Sequence, residues 1–226
     1  MAAGLAGARQ SCNHWGMTAD FMNGWIDNAR AFSTGSAAFA RASGAETGSP
    51  QAALIAPSDL SLDPLTLTGA APGEIYDIRT VAGLVPPSAG EDIDRTVGAA
   101  LEFAVIIYGV RHIVLLSHPG CGLVRCLLDQ DGPGALAVSH GRFLPSWTAM
   151  AASAVGRMLN VDIAEDLRAR LCCEELIRVS FENLMTYQWV LDRVFDGQLQ
   201  LHGWYCDPDS GIFASFDPST DSFVDG

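Results

Sequence analysis

His118 and Cys121 stand three residues apart in Ser117-His118-Pro119-Gly120-Cys121-Gly122. They follow His112-Ile113-Val114-Leu115-Leu116, an apolar run of the kind that forms a buried strand. An imidazole and a thiolate on a turn leaving a strand can both face one point. That arrangement presents two ligands to a soft, tetrahedral ion such as zinc. Two ligands do not complete a site, so the remaining donors must come from elsewhere in the chain. A second chemistry fits the same residues. Cys121 at the start of a helix would have its thiol pKa lowered by the helix dipole, with His118 as its base. If Asp59 orients His118, the three form a metal-free Cys–His–Asp nucleophile able to attack an electrophilic carbon. A third reading is structural: Cys121 as a small buried hydrophobe and His118 as a hydrogen-bonded imidazole.

Asp59 enters because Pro57-Ser58-Asp59 ends another short apolar run, Ala52-Ala53-Leu54-Ile55-Ala56. In parallel α/β sheets, ligands bind at the carboxyl ends of strands, and both segments lie at such ends. The plain alternative for Asp59 is a cap on its own turn.

These residues need a sheet to position them. Strands are predicted over 52–56, 74–79, 112–117, 198–205 and 212–216. Between them, Ile93, Val97, Ala100, Leu101, Ala104 and Tyr108 keep helical spacing, predicting a helix over 92–109 that Gly109 ends. Further helices are predicted over 146–159 and, in more than one piece, over 163–195. This alternation predicts an α/β fold: a central, mostly parallel sheet of four strands plus an edge strand, flanked by helices. Residues 1–48 are rich in Ala, Gly and Ser, with Phe21, Trp25 and Phe32 at helical spacing. They are expected to form an N-terminal helical arm ahead of the α/β domain over 49–226.

Composition narrows the function classes. The 226 residues are 49% apolar, enough for one domain with a large core. All basic residues are arginine, and the net charge of −13 argues against nucleic acid and anionic membrane surfaces as partners. No apolar run approaches membrane-spanning length, and Met1–Arg9 lacks the apolar core of a secretory signal. The six cysteines show no secreted-type framework, so reduced thiols and a cytoplasmic location are expected. Cys172-Cys173 is not spaced as a zinc pair, His202 is expected to pack at its strand, and the sequence offers His112 and His140 no partner.

Several stretches, taken in order, resemble the β-class carbonic anhydrases, most closely the plant-like and cyanate-operon branch, from about Pro50 to Val224. Leu54–Ser61 stands where that family has an apolar strand followed by Cys-Ser-Asp-Ser-Arg. Gly73–Pro87 resembles its second strand and Arg-Asn-x-Ala/Gly-Asn loop, and Ala99–Val105 its first long helix. Ser117–Gly122 resembles Gly-His-x-x-Cys-Gly. Leu199–Trp204, Asp207, Gly211 and Phe223 resemble the C-terminal strand pair.

The resemblance implies zinc held by the Cys of the first motif and the His and Cys of the second, beside an Asp–Arg dyad. His118 and Cys121 match ligands, and Asp59 matches the dyad Asp. Pro57 stands at the first ligand, Ser61 at the dyad Arg, Thr80 and Gly83 at the loop asparagines, and Gly48 at a pocket Gln. Zinc would then need Asp59 as its third ligand, or Cys12 or the Cys12/His14 pair on the arm, of the same chain or of a partner subunit. The resemblance also implies a homodimer or larger homo-oligomer, with a small-molecule substrate. The expected function is a divergent lyase or hydrolase acting on CO2 or a related small electrophile, with ordinary CO2 hydration weak or absent. The metal-free nucleophile and a catalytically dead scaffold stay open beside it.

Overall fold

The computed structural model describes residues 49–89, 95–129, 141–158 and 161–225. The arm expected over 1–48, with Cys12 and His14, lies outside the described residues.

Four strands run parallel: β1 (Ala52–Pro57), β2 (Ile75–Thr80), β3 (His112–Ser117) and β4 (Gln200–Asp207). Two antiparallel strands, β5 (Ile212–Asp217) and β6 (Ser222–Asp225), extend the sheet, giving the order β2-β1-β3-β4-β5-β6. The α/β class with a mostly parallel sheet is therefore as expected. The strand count is corrected from five to six. β6 is four residues long and only half of it is partly buried, too short a run to carry an alternation signal.

Helix α1 (Pro64–Thr68) was also not foreseen. Its signals are local: Asp63 caps it by accepting from Thr66 N–H, Pro64 opens it, and Gly69 closes it at φ 69°. Helix α2 begins as Arg95–Glu102 and continues as a π-helical stretch, Phe103–Tyr108. Gly109, at φ 69°, ends it as the sequence predicts, because a left-handed cap suits glycine. Helices α3 (Gly122–Leu128), α4 (Leu144–Met158), α5 (Glu165–Leu184) and α6 (Gln188–Phe195) complete the α-helices of the described residues. The expected 163–195 helix thus divides in two at Met185–Tyr187.

Strand alternation sorts the core. Ala53, Ile55, Ile113 and Leu115 face the larger cluster, with α5 residues Cys172, Cys173, Leu176 and Ile177. Leu54, Ala56, Val114 and Leu116 face a second cluster with Leu60 and Cys206. Strands buried on both faces read as unbroken apolar runs, which is why β1 and β3 stood out in the sequence. Helix α5 also fixes the chain after β2. Ser180 Oγ accepts from Val85 N–H at 3.2 Å, and Asn183 Nδ2 donates to the Val85 carbonyl at 2.8 Å.

Candidate functional site

Parallel strands place Pro57, Thr80 and Ser117 at one end of the sheet, so the segments that follow them meet there. The loop after β1 carries Asp59 and is held by Arg79 of β2. The Arg79 guanidinium donates to the carbonyls of Pro57 at 3.3 Å and Leu60 at 3.1 Å, while Asp77 anchors its Nε at 3.0 Å. A planar fork with fixed donors suits this task, since it binds several carbonyls without moving. This anchoring role of Arg79 was not read from the sequence, where no spacing signals it.

Asp59 then bridges two elements. Its Oδ1 lies 3.3 Å from His118 Nε2, and its Oδ2 accepts the Gly122 N–H at 2.6 Å. Gly122 is the first residue of α3, where unpaired N–H groups favour a carboxylate. Asp59 is thus a helix cap, but of a helix 63 residues away rather than of its own turn. His118 is buried, whereas the Asp59 side chain is 44% exposed. The other ring nitrogen, Nδ1, sits only 3.0 Å from where a Cβ on Gly120 would stand, so that edge of the ring packs on its own turn.

Cys121 is 2% exposed at the N-cap of α3. Burial pushes its thiol up to about 11, with Asp59 adding to the rise. Hydrogen bonds from the N–H groups of Val124 and Leu123, and the nearby Arg125, pull the other way without overcoming it. The lowered pKa expected from the helix start is therefore corrected: desolvation of a thiolate outweighs the dipole here. Beneath the turn lies a second thiol. Cys173 of α5 donates from Sγ to the His118 carbonyl at 3.2 Å, and burial raises its pKa well above the usual thiol value. The pair Cys172-Cys173 is fully buried, and only tertiary packing brings Cys173 under His118.

Pro57 fills the place of a donor with a ring. A Cβ on Gly83 would meet the Leu116 carbonyl at 2.8 Å and Pro57 Cδ at 3.1 Å. Gly83, at φ 67°, is therefore required both by its backbone angle and by the proline against it. Thr80 is buried and donates to the Leu84 carbonyl at 2.9 Å, closing the same loop. The described residues thus bring Asp59, His118 and Cys121 to one strand end, as the sequence predicts, but in a closed hydrogen-bonded arrangement.

Two other histidines also meet. His112 Nδ1 and His202 Nε2 lie 3.1 Å apart on adjacent strands at the opposite end of the sheet. The sequence offered His112 no partner and led only to the expectation that His202 packs at its strand. The parallel register, with His112 beside Gln200 and Val114 beside His202, makes them diagonal neighbours on one face.

Comparison with known proteins agrees with this architecture. The carbonic anhydrase family model matches residues 52–213, and the chain belongs to the β-carbonic anhydrase family. It is 31% identical over 159 residues to beta carbonic anhydrase 6, mitochondrial, of Arabidopsis thaliana, covering 70% of this chain and 53% of that protein. It is 30% identical over 171 residues to a carbonic anhydrase of Synechococcus elongatus, covering 72% of this chain and 58% of that one. The chain thus spans a little over half the length of these two curated relatives. The fold of the β-carbonic anhydrase CcaA superposes with a TM-score of 0.76 over 92% of each chain at 24% identity. A tetrameric β-carbonic anhydrase of Sordaria macrospora superposes at 0.69, over 87% of this chain and 96% of that one, at 21% identity.

β-Carbonic anhydrases depend on zinc, and a catalytic zinc needs three protein ligands and one open position. The donor set at this strand end does not fit that need. Pro57 has no donor atom, Asp59 is engaged with His118 and Gly122, and His118 has one nitrogen on Asp59 and the other against Gly120. Among the described residues, no three His, Cys, Asp or Glu side chains converge to hold a metal ion.

Proposed function

We propose that this protein is a β-carbonic-anhydrase-fold homo-oligomer that does not hydrate CO2 at a rate typical of its family and serves as a non-hydrating scaffold. One observation carries this reading. Asp59 closes on His118 and on the start of α3, with Pro57 in place of the first thiolate, so the donors bond to one another. The metal-free nucleophile draws little support, since a buried thiol pushed up to about 11 holds almost no thiolate at neutral pH. The cytoplasmic reading rests on Cys121, Cys126, Cys172, Cys173 and Cys206 all being free thiols.

A second reading, a divergent lyase for CO2 or a related small electrophile, keeps one observation in its favour. His118, Cys121 and Asp59 remain together at the strand end that the family uses. Metal analysis combined with stopped-flow CO2 hydration separates the two. The scaffold reading expects well under one zinc per subunit and hydration at the buffer background. Stoichiometric zinc with rapid hydration would overturn it in favour of the lyase.

A further inference from the structure

At the amino end of the parallel sheet, away from His118 and Cys121, lies a solvent-open cavity of about 540 Å³. Arg111, His112, Arg193, Gln198 and Gln200 line it together with two glycines, and no acidic side chain does so among the described residues. The charge pattern is unexpected. The chain carries 26 acidic residues against 13 arginines, and its net charge is −13. Elsewhere, Arg79, Arg170 and Arg178 each pair with a carboxylate. Arg95, Arg125, Arg142 and Arg168 have no carboxylate pair among the described residues either, but Arg111 and Arg193, which also have none, share one cavity.

Their backbones are fixed. Arg111 N–H donates to the Gln51 carbonyl at 2.9 Å, and the Arg111 carbonyl accepts from Gln200 N–H at 2.9 Å, tying β1, β3 and β4 together. The Arg193 carbonyl accepts from Gln198 N–H at 2.8 Å and Leu199 N–H at 3.1 Å. Arg193 also lies in the last turn of α6, where a cation suits the helix dipole. That accounts for one arginine, but not for two lining the same cavity with His112, Gln198 and Gln200. His112 is in turn braced by His202 at 3.1 Å.

We propose that this cavity binds a small polar phosphate monoester, with Arg111 and Arg193 on the phosphate and His112, Gln198 and Gln200 offering further polar contacts. Two guanidinium groups without a carboxylate pair match a dianion better than a monoanion such as bicarbonate, and planar forks suit phosphate oxygens. The volume falls in the range of small-molecule pockets, leaving room for a polar body beyond the phosphate.

Calorimetric titration of the full-length protein tests this with glycerol 3-phosphate, inorganic phosphate and bicarbonate. Saturable binding is expected, tightest for glycerol 3-phosphate and weakest for bicarbonate. Arg111→Gln and Arg193→Gln should each weaken binding about tenfold or more, since each removes charge-assisted hydrogen bonds. Arg111→Lys, which keeps the charge but loses the fork, should fall between. Arg142→Gln, an exposed arginine outside the cavity, should bind as the parent does. Thermal melts check that each variant is folded. The proposal is overturned if neither phosphate ligand shows saturable binding. It is equally overturned if a folded Arg111→Gln/Arg193→Gln double variant binds like the parent, or if bicarbonate binds tightest.

Discussion

At the scale of single residues, three positions set the chemistry: Pro57, Asp59 and Cys121. The closed Asp59 bridge predicts a stability role that a free dyad carboxylate would lack. Asp59→Ala removes the acceptor for Gly122 N–H and should cost about 1 kcal/mol, moderated by the half-exposed side chain. That corresponds to a melting temperature lower by about 2–4 °C. Asp59→Asn keeps an acceptor oxygen and should lose less; equal losses would show that the cap is not what Asp59 supplies. Cys121 makes a second prediction. Its buried thiol, pushed up to about 11, should resist iodoacetamide near neutral pH, while partly exposed Cys126 reacts ahead of it. Peptide mapping of the labelled protein reads the order, and Cys121 labelling ahead of Cys126 would revive the nucleophile. A third prediction concerns Pro57. Pro57→Cys with Ser61→Arg restores the missing thiolate and dyad arginine, and should raise zinc content toward about one per subunit along with CO2 hydration. No gain in either would mean that Gly83, Thr80 and the Arg79 clamp have rebuilt the loop beyond those two positions.

At the scale of elements, the parallel register between β3 and β4 creates the His112–His202 pair. Burial lowers the His202 pKa, and the neighbouring His112 lowers it further. The folded pKa therefore lies below the unfolded value of 6.5, and the unfolded chain takes up a proton first as pH falls. The stabilisation is fully present above about pH 6.5 and is lost as pH falls through the folded pKa. His202→Gln should flatten this part of the stability profile, measured as melting temperature between about pH 7 and about pH 5. An unchanged acid slope would mean that other groups carry it. Helix α5 acts at the same scale: one face packs on β3 and β4, places Cys173 under His118, and holds Val85 through Ser180 and Asn183.

At the scale of the whole molecule, the π-helical end of α2 exposes Phe103 at 46%, Ile106 at 42%, Ile107 at 65% and Tyr108 at 39%. Of these, Phe103 and Tyr108 pack their rings on Tyr76 of β2, an edge strand of the sheet. Exposed apolar residues beside an edge strand suit a second copy of the chain. Light scattering should give a mass above the 23.9 kDa of one chain, and Ile107→Glu should reduce it. An unchanged mass would place the contact elsewhere. The amino-acid sequence by itself determined the fold class, the four parallel strands and the strand-end meeting of Asp59, His118 and Cys121, because buried strands leave unbroken apolar runs and strand ends collect ligand-type residues. It also showed Pro57 at the missing ligand. Only the tertiary structure decided that Asp59 caps a distant helix, that Cys121 is a weakly acidic thiol, that Cys173 lies beneath His118, and that His112 meets His202. These depend on register, burial and packing between segments far apart in the chain, and local residue patterns carry no record of such distances.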